Sequence, residues 1–319
     1  MSQIVQIKSP VLAAVTDQTG YVKARKEADK LAAEYGLRVA DMPMAIQAMA
    51  NHPEVREAIR PVWIDTITGE YHGQRDGDRS YETWHSAGSL ATAKGLEKAF
   101  SKAGEYAFMQ IADDEWVAVG KGNYNGQDVA RIHLDDVKKG SVPAAGTPYT
   151  VFTRLDKDKA NINGSGQLTY DAFMSDDRVL MIAGSPDNRE ALAKMLFDRK
   201  EDGGEGWSNI GSYHRINEAG FDAKAKGRLV CLYFSDYGLS GGRDIGDSGR
   251  FVGVAPEALG AQKIWASQNG ALNSPYREPG VVSHPLEHKI RTALKAGTAF
   301  EYNGTLYAPI NAGNLQLKE

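Results

Sequence analysis

Cysteine is almost absent from this 319-residue chain, whose one cysteine is Cys231. A single cysteine cannot form an intrachain disulfide, and this suits a reducing compartment. Cys231 stands in the apolar run RLVCLYF. We predict that it is a small buried core residue and not a catalytic thiol, because the local sequence places no base beside it.

Long apolar runs and an excess of positive charge are also missing. No run approaches the roughly 20 apolar residues that a membrane span needs, and the start MSQIVQIKSPVLAAV lacks the pattern of a signal peptide. The formal net charge is -4, so no overall basic field favours nucleic acid or an anionic membrane. We expect a soluble globular protein, cytoplasmic or virion-associated, with neither nucleic acid nor membrane as a partner.

Helical and strand patterns do not alternate regularly along the chain, and this favours an α+β fold over a doubly wound parallel sheet. We divide the chain into an N-terminal helical region (1–60), an α+β region (61–145) and a β-rich domain (146–319). In the first region, the pattern YVKARKEADKLAAEY predicts a helix that ends at Gly36. Pro43 and Pro53 each stand at a good first position of a further helix.

Beyond residue 60 we predict a mixture of strands and helices. PVWID indicates a strand, and the following ITGEYHGQRDGDRS (67–80) indicates a polar, turn-rich connection. SLATAKGLEKAF and PDNREALAKMLFDRK predict helices, and a last helix is expected in PLEHKIRTALKAG. The Asn303-Gly304 pair predicts a two-residue hairpin turn. Further strands are predicted in YAFMQI, EWVAVG, VARIHL, TPYTVFTRL and, as a buried strand, RVLMIAG.

One histidine-rich segment matches the spacing of a zinc peptidase motif. HPLEH (284–288) follows the pattern H-x-x-E-H, in which His284 and His288 would bind zinc and Glu287 would act as the base. Pro285, however, fits the first turn of a helix, and the chain that follows offers no convincing third ligand. We therefore expect no metal here and no resident cofactor.

A second segment resembles an incomplete EF-hand calcium loop. NINGSGQLTYDAF (161–173) has a glycine, Gly166, at the sharp turn, but Ala172 replaces the bidentate glutamate at the last position. The preceding segment also indicates a strand and not an entering helix. A polar turn between strands is our main interpretation, with weak calcium binding as the alternative. The calcium candidates are Asn161, Asn163, Ser165 and Thr169.

Other catalytic and cofactor motifs are absent. There is no G-x-x-x-x-G-K-[ST] phosphate loop, no dinucleotide fingerprint after a strand and no nucleophile elbow. The remaining histidines share no metal-ligand spacing. The sequence therefore favours a protein without enzymatic activity.

The clearest local absence lies in residues 227–256, which contain no Lys, Glu, Gln, Met or Trp, although these types form about a fifth of the chain. Within this stretch, LVCLYF and RFVGV indicate buried strands that contain Val230 and Val252. The polar residues between them predict an exposed loop over most of 235–248. Tyrosine, arginine, serine, glycine and aspartate dominate the loop, and this is the composition of a binding surface.

The segment 231–250 resembles the variable region of proteins diversified by retroelements, in which mutagenesis of adenines, mostly in AAY codons, excludes the same five residue types. In that family a GGSW-like stretch precedes the variable region and a GFRV-like strand closes it. Here GGEGW (203–207) and GRFVGV (249–254) stand in that order. The resemblance covers 187–254. It implies a C-type-lectin-like fold of the formylglycine-generating-enzyme type and a phage or mobile-element origin.

From these observations we predict a binding protein that displays 231–250 to a protein or glycan ligand. One alternative is a self-assembling structural protein, such as a virion component, which would form a large assembly. A second is a hydrolase or transferase whose active site forms only in three dimensions. The predicted ligand-binding residues are Tyr233, Phe234, Asp236, Tyr237, Ser240, Arg243, Asp244 and Asp247.

Overall fold

A computed structural model describes residues 20–59, 63–100, 109–144, 146–162, 166–197, 224–233, 238–241 and 249–255. It also gives the backbone of strands within 3–6, 12–15, 208–210, 300–302, 305–311 and 314–317. The HPLEH segment, the helix predicted from it and GGEGW lie outside the described residues.

The first part of the chain forms the predicted helices. Gly36, with a φ of 67°, ends the first of them. Asp41 caps the second by accepting a hydrogen bond from the Met44 N–H, with Pro43 in its first turn. The elements are β1 (Gln3–Gln6), β2 (Leu12–Val15), α1 (Tyr21–Tyr35), β3 (Arg38–Val39), α2 (Met42–Asn51) and α3 (Pro53–Ile59).

The prediction of a turn-rich connection over 67–80 was wrong. This segment belongs to a long hairpin made of β4 (Ile64–Arg75) and β5 (Asp78–His85). Asp76 (φ 53°) and Gly77 (φ 83°) form its two-residue turn, which needs two positive φ angles. The sequence of the two strands contains many polar residues, which suggested a loop. In the fold, residues such as Glu70 and Glu82 are buried, and ion pairs and hydrogen bonds compensate their charges.

The middle of the chain contains a helix where the sequence predicts a strand. EWVAVG lies in α5, whose first turn carries Asp113, Asp114 and Glu115, charges that favour a helix N-terminus. Trp116 and Val119 are buried at the i, i+3 spacing of a helix face. A 3₁₀ turn (Ser89–Ala91) precedes α4 (Ala93–Phe100), β6 (Met109–Gln110), α5 (Asp113–Gly120), β7 (Asn123–Tyr124), β8 (Gln127–Asp128), β9 (Ala130–His133), α6 (Leu134–Lys138) and β10 (Tyr149–Arg154).

The buried run RVLMIAG is also a helix and not the predicted strand. Asp176 caps it by accepting hydrogen bonds from Arg178 N (2.7 Å) and Val179 N (3.3 Å), and Gly184 ends it with a φ of 77°. A short apolar run does not distinguish a buried helix from a buried strand by periodicity. The elements here are β11 (Gly166–Leu168), α7 (Tyr170–Ser175), α8 (Asp177–Ala183) and α9 (Pro186–Phe197).

The last described elements include the predicted strand of LVCLYF and the predicted C-terminal hairpin. They are β12 (Ser208–Ile210), β13 (Lys226–Tyr233), β14 (Gly238–Gly241), β15 (Gly253–Val254), β16 (Phe300–Tyr302), β17 (Thr305–Asn311) and β18 (Asn314–Leu317). Tyr302 pairs with Thr305 in the antiparallel β16–β17 ladder, which agrees with a two-residue connection.

A sheet of nine strands organises the described part of the chain. Its order is β11-β12-β14-β13-β4-β5-β10-β9, and β6 pairs with β13 beside this path. The strands come from both the second and the third of the regions that we defined from the sequence. The central pairs β14–β13–β4–β5 are antiparallel, whereas β9 runs parallel to β10.

Helices cover both faces of this sheet. On one face, Val230 and Leu232 pack with the apolar sides of α2, α8 and α9. On the other face, Leu229 and Trp84 belong to a second core with α1, α4 and α5. Because side chains alternate across a strand, both faces of β13 are buried, and this explains its nearly continuous apolar sequence. In the part of the chain that the structure describes, no helix has the length and apolar character to cross a membrane.

A buried ion pair joins the two central strands. Arg228 Nε and Nη2 donate to Glu70 Oε2 at 2.9 and 2.8 Å, and Tyr81 Oη donates to Glu70 Oε1 at 2.6 Å. The side chains of Arg228 and Glu70 are each 2% exposed. Burial, with the Glu70 charge as a further cause, raises the pKa of Tyr81 well above its usual value. The phenol therefore stays a hydrogen-bond donor to Glu70.

Glu82 forms a second polar centre on the opposite face of the sheet. Its carboxylate accepts hydrogen bonds from Arg75 Nε (2.7 Å) and from Trp84 Nε1 (2.8 Å). Arg75 also lies over the Trp116 ring and donates to the Trp116 carbonyl (2.9 Å). Through these contacts, one arginine holds α5 against the sheet.

A neutral histidine completes a chain of buried hydrogen bonds next to α8. His85 Nε2 lies 3.0 Å from the Met181 carbonyl and must carry the proton, because a carbonyl can only accept. Its Nδ1 accepts from the Thr68 hydroxyl (3.0 Å), whose oxygen accepts from Met42 N (2.8 Å). Burial lowers the pKa of His85 to about 3, so the ring is neutral at physiological pH.

We predict that His85 makes the fold sensitive to acid. Between pH 6.5 and about 3, the unfolded chain gains a proton on His85 that the folded chain does not, so stability falls as the pH is lowered. The slope is about 1.4 kcal/mol per pH unit. In His85→Gln this contribution is absent, and the stability difference between the two proteins should shrink from pH 7 to pH 4 in urea unfolding experiments. Buried acids such as Asp41 titrate in both proteins and cancel in this comparison. A difference that stays constant over this range would contradict the prediction.

Candidate ligand-binding site

The segment 231–250 begins in β13, a largely buried strand of the sheet. Residues 227–232 of β13 are buried, and Tyr233, at the end of the strand, is half-buried. Cys231 is 3% exposed, which confirms its prediction as a buried core residue, and its Sγ lies 3.1 Å from the Ser240 carbonyl. Val230 is buried, also as predicted.

A β-bulge in β4 lies opposite β13, next to the start of this segment. Leu229 pairs with Gly69 and Cys231 pairs with Asp65, so β4 carries extra residues between these two positions. Thr66 Oγ1 donates to the Val230 carbonyl at 2.7 Å, which satisfies a backbone group inside the irregularity. The bulge thereby separates two paired stretches of the β13–β4 ladder, one on each side of it.

The end of the segment returns to the same place on the sheet. The Arg250 N–H donates to Asp65 Oδ2 (2.8 Å), and the Asp65 N–H donates to the Arg250 carbonyl (2.7 Å). Phe251 forms an isolated parallel bridge with Asp65. Phe251 and Val252 are buried, the latter as predicted, and β15 then pairs with β3. The chain therefore enters and leaves the segment next to the start of β4.

Trp63 lies between the two ends. Its ring stacks on the ring of Tyr233, with centroids 6.0 Å apart and an angle of 18° between the planes. The Arg250 guanidinium carbon lies 3.7 Å from the centroid of the Trp63 ring. We call Trp63, Asp65, Tyr233 and Arg250 the Trp63 clamp. It fixes the separation and direction of the two chain ends that carry the segment.

Part of the segment is more buried than the sequence predicts. We expected exposure over most of 235–248, yet 238–241 form strand β14, in which Leu239 is 1% exposed. Leu232 pairs with Leu239, and Tyr233 with Gly238. The buried Leu239 belongs to the core of α2, α8 and α9, so the segment contributes one strand to the sheet.

The predicted ligand-binding residues fall into two groups. Tyr233 lies in the Trp63 clamp, and Ser240 is half-buried on β14. The others lie outside the described residues: Phe234, Asp236, Tyr237, Arg243, Asp244 and Asp247. Trp63, Asp65 and Arg250 were not predicted, because no sequence spacing links residues that only the pairing of β4 brings together. The strand prediction for PVWID was the one available signal.

The calcium candidates in the described residues make contacts within the fold. Asn161 Nδ2 donates to the Ser175 carbonyl (2.8 Å), and the Asn161 N–H donates to Asp177 Oδ2 (2.7 Å). Thr169 caps α7 by accepting from the Ala172 N–H (3.3 Å). Asn163 and Ser165 lie outside the described residues. Over the described ranges, no group of three or more His, Cys, Asp and Glu side chains could hold a metal ion.

The fold is similar to one solved structure, described as "Accommodation of massive sequence variation in Nanoarchaeota by the C-type lectin fold". The TM-score is 0.50 with 15% sequence identity, and the match covers 79% of this chain and all of the other. No protein-family model matches the chain, and no curated protein gives a significant sequence match. The likeness concerns the fold alone and supports the C-type-lectin-like fold that the sequence predicts.

We predict that Trp63 supports the ends of the displayed segment. Trp63→Ala removes the ring between Tyr233 and Arg250 and should cost about 2–3 kcal/mol, less than full burial of the ring would. Cleavage within 234–248 by a protease should become faster. Trp63→Phe keeps an aromatic ring at this position and should lose less stability. If Trp63→Ala behaves like Val117→Ala, a change at an exposed position, the clamp has no supporting role.

Proposed function

We propose that this chain is a non-enzymatic binding protein that presents residues 231–250 to a protein or glycan ligand. The observation that carries the proposal is the Trp63 clamp, which ties both ends of a segment with binding-surface composition to the central sheet. A rigid support reduces the entropy that a binding loop loses when it meets its ligand.

In this arrangement, the residues that stabilise the fold differ from the residues that we propose to contact the ligand. Buried groups that stabilise the sheet and the strand after the segment, such as Glu70, Arg228 and Phe251, lie outside the polar middle of the segment. Outside β14, whose Leu239 belongs to the core, side chains in that middle are therefore free to vary without loss of the sheet. The similar solved structure is described as accommodating massive sequence variation, and we extend this property to 231–250 of this chain.

We further propose that this variation arises from a retroelement, on a phage or another mobile element. The absence of Lys, Glu, Gln, Met and Trp from 227–256 supports this origin. Sequencing the DNA beside the gene is the direct experiment. A template repeat matching 231–250, with a reverse transcriptase gene, would support the proposal, and their absence would remove this part of it.

A library experiment tests display without knowledge of the natural ligand. Positions 234, 236, 237, 243, 244 and 247 would be randomised, and the variants would be displayed on the surface of yeast cells. The cells would then be selected for binding to lysozyme, which serves as a defined probe. We expect most variants to stay protease-resistant and some to bind. A matched library at Val230, Leu232, Leu239 and Val252, which are buried, should lose folded protein in most variants. Equal losses in the two libraries would contradict a display role.

We predict that a triple change in the segment barely alters stability. Surface substitutions usually stay within about 0.5 kcal/mol each, so Tyr237→Ser, Arg243→Ser and Asp244→Ser together should leave the melting temperature within a few degrees of wild type. Phe251→Ala, at a fully buried position, should cost about 3–5 kcal/mol and lower it by many degrees. Calorimetry of the three proteins makes the comparison.

The same triple variant should lose binding to any ligand that a glycan array identifies for the wild-type protein, because tyrosine and arginine dominate binding energy. If the triple variant unfolded at the same temperature as Phe251→Ala, these side chains would belong to the core, and the display function would be ruled out.

A further inference from the structure

One arginine of α9 makes no side-chain hydrogen bond or ion pair with the part of the chain that the structure describes. Arg189 lies near the start of this helix and is half-buried. Its Nε–H is buried and has no hydrogen-bond partner. No described residue contacts its guanidinium as an acceptor or as a counter-ion. Buried polar groups without a partner are rare in native folds, and a bound ion is one explanation for them.

The two acids that attract Arg189 are engaged by other groups. Asp177, whose side chain is 4% exposed, accepts at Oδ2 from Lys138 Nζ (2.9 Å) and from the Asn161 N–H (2.7 Å). Asp176 is fully buried and caps α8 by accepting from backbone N–H groups. Burial lowers the pKa of Arg189, and the two carboxylates oppose this shift less strongly. The fold therefore holds this guanidinium partly desolvated and without an ion pair.

Positive charge is in excess around the start of α8. Asp176 and Asp177 supply two negative charges there. Lys138 from α6, Arg178 from α8 and Arg189 from α9 supply three positive charges. An anion that meets Arg189 therefore enters a region where the cations outnumber the acids.

The neighbouring charges on α9 do not occupy Arg189. Glu190 is paired with Lys194 at 2.6 Å. Asp187 is exposed and stands two residues before Arg189, a spacing at which side chains on a helix do not face each other. The guanidinium therefore keeps its donors for a group from outside the described fold.

We propose that Arg189, together with Lys138, binds the sulfate or phosphate group of an anionic ester. A planar guanidinium presents two parallel donors that match two oxygens of such a group. Lys138 is 38% exposed, and its ammonium has three donors of which Asp177 takes one, so it can bind a third oxygen. The site lies on α6, α8 and α9, outside 231–250, and it is independent of the display function.

The experiment titrates methyl sulfate, methyl phosphate or methanol into the isotopically labelled full chain, at an ionic strength kept constant with sodium chloride. The signal is the nuclear magnetic resonance of the Arg189 Nε–H, which is assigned by its loss in Arg189→Lys. We expect at least one of the two esters to shift this resonance along a saturable curve, because the buried donor gains an acceptor. Methanol should leave it in place. The ester that binds more tightly identifies the group as sulfate or phosphate.

Variants test the roles of the charges, with the backbone amide signals around position 189 as the readout. Arg189→Gln should weaken binding of the tighter ester at least fivefold, and Arg189→Lys should recover part of it. Asp177→Asn should tighten binding, because the carboxylate no longer competes for Lys138 while the amide oxygen still accepts from the Asn161 N–H. Lys23→Gln removes the same charge from an exposed position of α1, on the other face of the sheet, and should change nothing.

The display function and this site fail separately. The Tyr237→Ser, Arg243→Ser, Asp244→Ser variant should bind the ester like wild type, whatever its effect on the displayed segment. Half-saturation of both esters above about 10 mM, an equal shift with methanol, or full binding by Arg189→Gln with an unchanged circular dichroism spectrum would overturn the proposal.

Discussion

The buried ion pair between Arg228 and Glu70 is the constraint on which the candidate site depends. These residues stand directly opposite each other in the β13–β4 ladder, and removing either partner would leave a buried charge, at a cost of about 3–5 kcal/mol. A slip of β13 by one residue would move Arg228 to the other face of the sheet, where Glu70 could not reach it. The pair therefore selects one register. The bulge in β4 then shifts the pairing by two residues, so that Leu232 lies opposite Ile64, and the next residues along each strand, Tyr233 and Trp63, meet and stack.

The polar interior of the sheet explains which elements could be predicted from the sequence and which could not. Helices with clear end signals, such as the one that stops at Gly36, were predicted correctly because caps are local. The β4–β5 hairpin was missed because Glu70 and Glu82 are buried through partners distant in sequence. The helix of RVLMIAG was missed although Asp176 and Gly184 mark its ends, since a continuous apolar run outweighed those signals. Within the site, composition alone pointed to Tyr233, whereas Trp63 required knowledge of strand pairing.

The two faces of the sheet satisfy their polar groups in different ways. On one face, Glu70 is paired with an arginine, and His85 is kept neutral by burial within a chain of hydrogen bonds. On the other face, Glu82 accepts from Arg75 and Trp84, which links the carboxylate to the aromatic stack beneath α5. Each group is specific for one partner geometry, so alternative registers would leave buried charges unpaired. Within 231–250, the side chains that this sheet does need are the buried ones of its strands, such as Leu232 of β13 and Leu239 of β14.

One short strand pair follows the displayed segment and ties it to the N-terminal part of the chain. Val39 and Arg38 of β3 pair with Gly253 and Val254 of β15, directly after the chain leaves the Trp63 clamp. Leu37, which precedes β3, lies against Gly253, where a Cβ atom would come within 2.9 Å of it. Because β3 and β15 contribute only two residues each, the attachment of the chain after the displayed segment depends on a few named contacts and not on the whole sheet.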